Sequence, residues 1–152
     1  MRPRVIIALL ALVGTFIALY LTLYKVGAVG NLTCSVGSCE TVNTSRWATF
    51  LGIPVAAWGL GTYLLILVLA IAGVQERFEA SRTISLALLG ISGWSVLFSG
   101  WLTYLELFVI KAICIWCVTS AVLMLAIFAV SLLDWREVGA RPTAEPDAER
   151  PA

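Results

Sequence analysis

The chain has 152 residues, of which 61% are hydrophobic and 12% charged, with a formal net charge of +1. A soluble domain carries about 25% charged residues, so this one cannot cover its outside with groups that water tolerates, and it reads as an integral membrane protein. The near-neutral balance gives no electrostatic footprint for nucleic acid, and the lack of histidine removes Ser-His and Cys-His triads, histidine-ligated haem and His-containing zinc sites. Chemistry is left to thiols, carboxylates, hydroxyls or an added cofactor.

Met1-Arg2-Pro3-Arg4 is a basic start, and Val5 to Tyr24 is an apolar run of the length that crosses a hydrocarbon core. It is too long for a signal peptide, and no clean cleavage site follows it. Residues 25–53 form a polar loop holding Gly27, Gly30, Gly37, Cys34 and Cys39, too long for a simple turn. Within it, Thr44 or Ser45 is expected to cap a short helix through Phe50 that lays Trp47, Phe50 and Leu51 along the membrane interface, with Arg46 toward lipid head groups. Pro54 suits a first helical turn, and 54–73 is the second span. A charged link from Gln75 to Arg82 leads to the third span, 83–105, and the fourth is expected over 112–133.

Ala57 with Gly61, and Ser95 with Ser99, place small residues four apart, a pattern that lets helices approach in lipid. Glu106 and Lys111 flank the boundary and read as solvated charges. Residues 136–152 turn polar and Pro-containing, which predicts a disordered tail. The expected fold class is an all-α integral membrane protein, a four-transmembrane-helix bundle over residues 1–135 whose outer loop and short helix cap the active site.

Four spans put both termini on one side. That side carries Arg2, Arg4, Arg77, Arg82, Arg136, Arg141 and Arg150, against Lys25, Arg46 and Lys111 on the other. The positive-inside rule therefore predicts cytoplasmic termini in the inner (plasma) membrane. All four cysteines then face the extracytoplasmic side, where disulfides form and persist.

Cys114-Ile115-Trp116-Cys117 falls at the N-terminus of the fourth span, where free amides and the helix dipole favour a thiolate. Lys111, three residues before Cys114, is placed to help hold it. Cys34 and Cys39 sit in flexible, polar sequence open to an outside dithiol protein, whereas the CxxC lies at the membrane boundary, suited to an apolar electron acceptor. Two dithiols at two depths make a relay for thiol–disulfide exchange. Static disulfides bracing the loop, or four thiolates on zinc, are the structural alternative. Asn31-Leu32-Thr33 and Asn43-Thr44-Ser45 fit the glycosylation acceptor pattern, relevant only in a eukaryotic lumen.

Cys34 and Cys39, then Val42, Thr44-Ser45-Arg46-Trp47, Phe50-Leu51-Gly52-Ile53-Pro54 and Cys114-Ile115-Trp116-Cys117, taken together, resemble the vitamin K epoxide reductase family. The resemblance implies a helical bundle enclosing a quinone of menaquinone, ubiquinone or vitamin K type, and a quinone-dependent thiol–disulfide oxidoreductase without a metal. It implies that Cys34 exchanges with a thioredoxin-fold partner, Cys39 passes the exchange to Cys114, and Cys117 faces the quinone, with Ser45 near the active cysteines. Trp116, Trp58 and Tyr63, with Trp94 and Trp101, are the aromatic candidates for the quinone pocket. Several bacterial relatives carry a fused thioredoxin-like domain, which this tail is too short to hold, so the partner is expected to be a separate protein. Many relatives also place a quinone-binding tyrosine four residues after the last active cysteine. Here that residue is Ala121, so Thr119, Ser120 or a residue of the second span has to stand in. The other four-helix disulfide-generating family has its CxxC in the first outer loop, the reverse of the order here.

Overall fold

The computed structural model describes residues 2–141. Its four long helices are α1 (Pro3–Lys25), α3 (Val55–Val74), α4 (Arg82–Tyr104) and α5 (Ile115–Ala140), with the short α2 (Cys39–Thr44) in the first loop. All four are long and apolar enough to cross a membrane, α4 with the π-helical turn Leu105–Ile110 that continues it. Helix is the natural state for such segments, because hydrocarbon offers no water to backbone amides. Pro3 sits in the first turn of α1, where its missing N–H costs nothing, and Ser81 caps α4 by accepting the Ile84 amide at 3.4 Å.

Helix α1 packs along both α3 and α5, and α5 along α4. The bundle core gathers Ile7, Ala11, Tyr63, Ile66, Ala70, Leu88 and Ile127. Large apolar side chains such as Phe16, Val68, Leu97 and Val122 point outward, as expected where the surroundings are lipid rather than water. Close approach occurs at glycines other than the pair expected: a Cβ on Gly14 would overlap the Tyr63 ring, whereas Gly61 has nothing within 4 Å. Ser95 turns its hydroxyl back to the Ile91 carbonyl at 2.8 Å instead of marking a crossing.

The end of the bundle away from the cysteines is tied by one side chain. Arg4, only 4% exposed, donates Nε to Asp134 Oδ1 at 3.0 Å. Its Nη1 donates to the carbonyls of Gly73 and Phe78, both at 2.8 Å, and its Nη2 to the Ser81 carbonyl at 3.2 Å and Ser85 Oγ at 2.9 Å. Ser85 Oγ in turn donates to Asp134 Oδ2 at 2.5 Å. Gly73 is required beside this cluster, since a Cβ there would press on the Arg4 side chain.

The first loop departs from the expected helix through Phe50. Helix α2 begins at Cys39 and ends at Thr44, and Ser45 closes it, its Oγ donating back to the Val42 carbonyl at 2.8 Å instead of capping a following helix. A 3₁₀ turn, Arg46–Ala48, and a two-residue antiparallel ladder follow, β1 (Thr49–Phe50) on β2 (Ile53–Pro54), with Thr49 opposite Pro54 and Phe50 opposite Ile53. The connecting Leu51 and Gly52 both have positive φ, 53° and 78°, the twist that a two-residue hairpin favours.

Two other boundaries differ. The third span does not stop at 105 but widens into the π turn, closed by Lys111 in the left-handed region. The fourth begins at Ile115 and runs to Ala140, because Arg136 to Ala140 are compatible with helix and Val138 is buried. The remainder of the expected tail, residues 142–152, lies outside the described residues.

Replacing Asp134 by alanine strands the Arg4 charge. We expect a loss of about 3–5 kcal/mol, read as a lower unfolding midpoint of the purified chain in detergent, with Asp134→Asn falling between the two.

Candidate active site

The loop and the head of α5 are joined through main chain. The Ser38 amide donates to the Ile113 carbonyl at 2.7 Å, and Gly37 pairs with Cys114 in an isolated antiparallel bridge. Gly37 has φ 93°, and a Cβ on it would strike the Ile113 carbonyl, so only glycine fits. This clamp sets the Cys34–Cys39 disulfide, whose Cα atoms are 6.1 Å apart, against the CxxC. Cys39 and Cys114 are both buried in one small core with Ile17, Leu21, Leu32 and Val42, while Cys34 is half-buried at its edge.

Cys114 is the N-cap of α5, and Cys117 stands in its first turn; both are free thiols. Cys114 is held below the ordinary thiol range, at about 7, first by a hydrogen bond from the Cys117 thiol. The amides of Cys117 and Trp116 add to this, whereas burial and the Glu106 charge oppose it. Asn43 of α2 bridges the two pairs: its Nδ2 donates to the Cys39 carbonyl at 2.9 Å and points to Cys114 Sγ at 3.7 Å. Its buried side chain is thus committed to the site, not presented as a glycosylation acceptor.

Cys117 opens onto a cavity of about 550 Å³ between α3, α4, α5 and the hairpin. Trp58 and Tyr63 line it, as do Trp94, Phe98 and Trp101. The Tyr63 hydroxyl donates to the Ser120 carbonyl at 2.8 Å and lies 2.9 Å from Ser120 Oγ. That places a phenol from α3 beside Ala121, which also lines the cavity.

Four of the residues singled out in the sequence stand away from the cavity. Trp116 does not line the cavity: its Nε1 donates to the Thr33 carbonyl at 2.8 Å and its ring meets Tyr20 edge-on at 5.5 Å, so it fastens the loop. Its position between the cysteines on a helix turns it about 100° from Cys117 and away from the cavity. Ser45 is occupied in closing α2 and is not among the cavity residues. Lys111 is exposed at the end of the π turn, while Arg46 lies over the Trp47 ring at 4.8 Å.

Two polar residues that sequence reasoning passed over are part of the site. Asn43 gave only a glycosylation-like pattern. Glu106, read as solvated, is 5% exposed; its Oε2 accepts the Cys114 amide at 3.4 Å, and it lines the cavity. The signal available for Glu106 was a lone carboxylate inside an apolar stretch, eight residues before Cys114.

Compared with known families, residues 5–132 match the model of the Vitamin K epoxide reductase family.

A lowered Cys114 pKa means that the thiolate is populated above about pH 7 and lost below it. With the loop disulfide intact, ultraviolet thiolate absorbance should rise with a midpoint near 7. Cys117→Ala removes the largest contribution, and the midpoint should move up toward the free-thiol value of about 8.5.

Proposed function

The chain belongs to the vitamin K epoxide reductase family, integral-membrane thiol–disulfide oxidoreductases that work with a quinone, and on that premise we propose that it re-oxidises an extracytoplasmic thioredoxin-fold dithiol protein. One observation carries the reading: Cys114 packs against the loop disulfide, while Cys117, one helical turn on, opens into an aromatic cavity. The two pairs thereby form a spatial series from the loop to the cavity. The termini are taken as cytoplasmic from the arginine distribution.

The cavity walls fit a quinone. They are mainly apolar and aromatic, suited to a flat ring, with a few convergent polar groups of which the Tyr63 hydroxyl lies beside Ala121. Tyr63 supplies from α3 the phenol that many relatives carry on the helix of the CxxC. Bound there, a quinone supplies a two-electron acceptor.

The protein steps follow from which sulfur is reachable. A partner thiolate attacks Cys34, the more accessible sulfur, breaking the Cys34–Cys39 bond and freeing Cys39; the partner's second thiol then breaks the mixed disulfide, leaving the partner oxidised and the loop reduced. Cys39 attacks Cys114 of an oxidised CxxC, which releases Cys117. Cys34 then attacks Cys39, which restores the loop disulfide and leaves Cys114 and Cys117 as thiols. Oxidised loop and reduced CxxC is the state seen in the structure. Cys117, facing the cavity, is the sulfur that passes the electron pair on as Cys114–Cys117 closes.

Two measurements test this. A reduced thioredoxin-fold protein whose second cysteine is replaced by serine should be trapped in a mixed disulfide with Cys34, and Cys114→Ala or Cys117→Ala should abolish quinone reduction by a reduced thioredoxin-fold substrate. Undiminished reduction in either alanine variant rules the relay out. With its hydroxyl turned from Ser120 to a quinone oxygen Tyr63 contributes one hydrogen bond, so Tyr63→Phe should raise KM for quinone by up to about tenfold, with little change in thiol exchange at the loop.

A further inference from the structure

Oxidising the CxxC requires a route for protons as well as electrons. Forming the Cys114–Cys117 bond breaks two S–H bonds and releases two electrons and two protons, and a quinone becomes a hydroquinone only by taking up both. Building on the function proposed above, we propose that Glu106 is the proton-transfer group of this half-reaction, accepting the thiol protons of the dithiol and passing them to the quinone oxygens.

The placement of Glu106 is the first argument. A carboxylate buried beside the hydrocarbon is costly unless something requires it. Here the backbone is reshaped to hold it: α4 widens into the π turn, the Glu106 carbonyl accepts the Ala112 amide at 3.1 Å, and Lys111 adopts the left-handed conformation that turns the chain toward α5. Such π turns interrupt helices frequently at functional positions. As a result Oε2 meets the Cys114 amide, and the group lines the cavity that Cys117 lines. It stands at the head of the CxxC and faces the space of the acceptor.

The contrast with the other buried carboxylate is the second argument. Asp134 is neutralised by Arg4 and bonded through both oxygens, as a structural group should be. Among the described residues Glu106 takes part in no ion pair, and the amide of Cys114 is its one side-chain hydrogen bond. The other titratable groups lining the cavity are already engaged as donors, Lys25 to the Asn43 carbonyl at 2.7 Å and Tyr63 to the Ser120 carbonyl. Glu106 is therefore the carboxylate able to accept an S–H proton at this end. Each proton moves from sulfur to the carboxylate and on to a quinone oxygen, so Glu106 finishes each turnover as it began.

The test compares full-length wild type with Glu106→Gln and Glu106→Asp in detergent. Glutamine keeps the shape and the acceptor for the Cys114 amide but cannot take a proton. Oxidation of the pre-reduced CxxC by menadione or decylubiquinone should slow about 10²-fold in Glu106→Gln, with Glu106→Asp recovering part of the rate. A second readout needs no quinone. The carboxylate opposes thiolate formation, so its replacement by glutamine should move the thiolate absorbance midpoint to lower pH, with Cys114, Cys117, Lys25 and Tyr63 as the other titratable groups around it. Reduction of the Cys34–Cys39 bond by a dithiol reagent should match wild type in both variants, which shows that the fold is intact. A Glu106→Gln chain that keeps the wild-type oxidation rate, or an absorbance midpoint that does not move, overturns the proposal. A wild-type chain that neither quinone oxidises overturns the function proposed above instead, and the absorbance titration then decides on Glu106 alone.

Discussion

A single guanidinium holds the ends of the four long helices together. Arg4 comes from the first turn of α1 and reaches the last carbonyls of α3, the link after it, the start of α4, and Asp134 of α5. Lipid-facing packing alone does little to set the register of one apolar helix on another, because tails and side chains are equally apolar. Five hydrogen bonds from one rigid, planar group do set it, and the desolvation cost is met because every partner is in place. Hydrophobic packing around Ile7, Tyr63, Leu88 and Ile127 then fills a frame whose axial positions are already fixed.

The opposite end is organised by main chain rather than charge. The Ser38–Ile113 hydrogen bond and the Gly37–Cys114 bridge bring a loop and a helix terminus together across 75 residues of sequence, judged from residues 38 and 113. Trp116 and Tyr20 close over Thr33 on one side, and Asn43 ties α2 to both cysteine pairs on the other. These contacts hold the loop and the head of α5 together without any salt bridge between them.

Much of this was legible in the sequence. Continuous apolar runs of membrane length have few structural outcomes, so the spans were readable, and cysteine spacing with the Ser45-Arg46-Trp47 element marked the family and so the redox chemistry. What failed to show was orientation. Both faces of a helix in lipid are apolar, so periodicity could not separate Tyr63, which lines the cavity, from Trp116, which turns away from it. Ser45 looks the same in sequence whether it starts a helix or closes one, and the carbonyl of Val42 decides. Arg4 and Glu106 read as boundary charges because the partners that bury them, Asp134 and the head of α5, lie far along the chain or behind a π turn that no composition signals.

The clamp at Gly37 has a further consequence. Thiols can add to a quinone ring, and a relay exposes one resident sulfur, Cys117, to the cavity in place of a client's cysteines. Here Cys34 lies on the loop side of the α5 head and Cys117 on the cavity side, with buried Cys39 and Cys114 between them. On the proposed reading, disulfide exchange carries electrons across that partition, and the client thiol and the ring stay on opposite sides of a single helical turn.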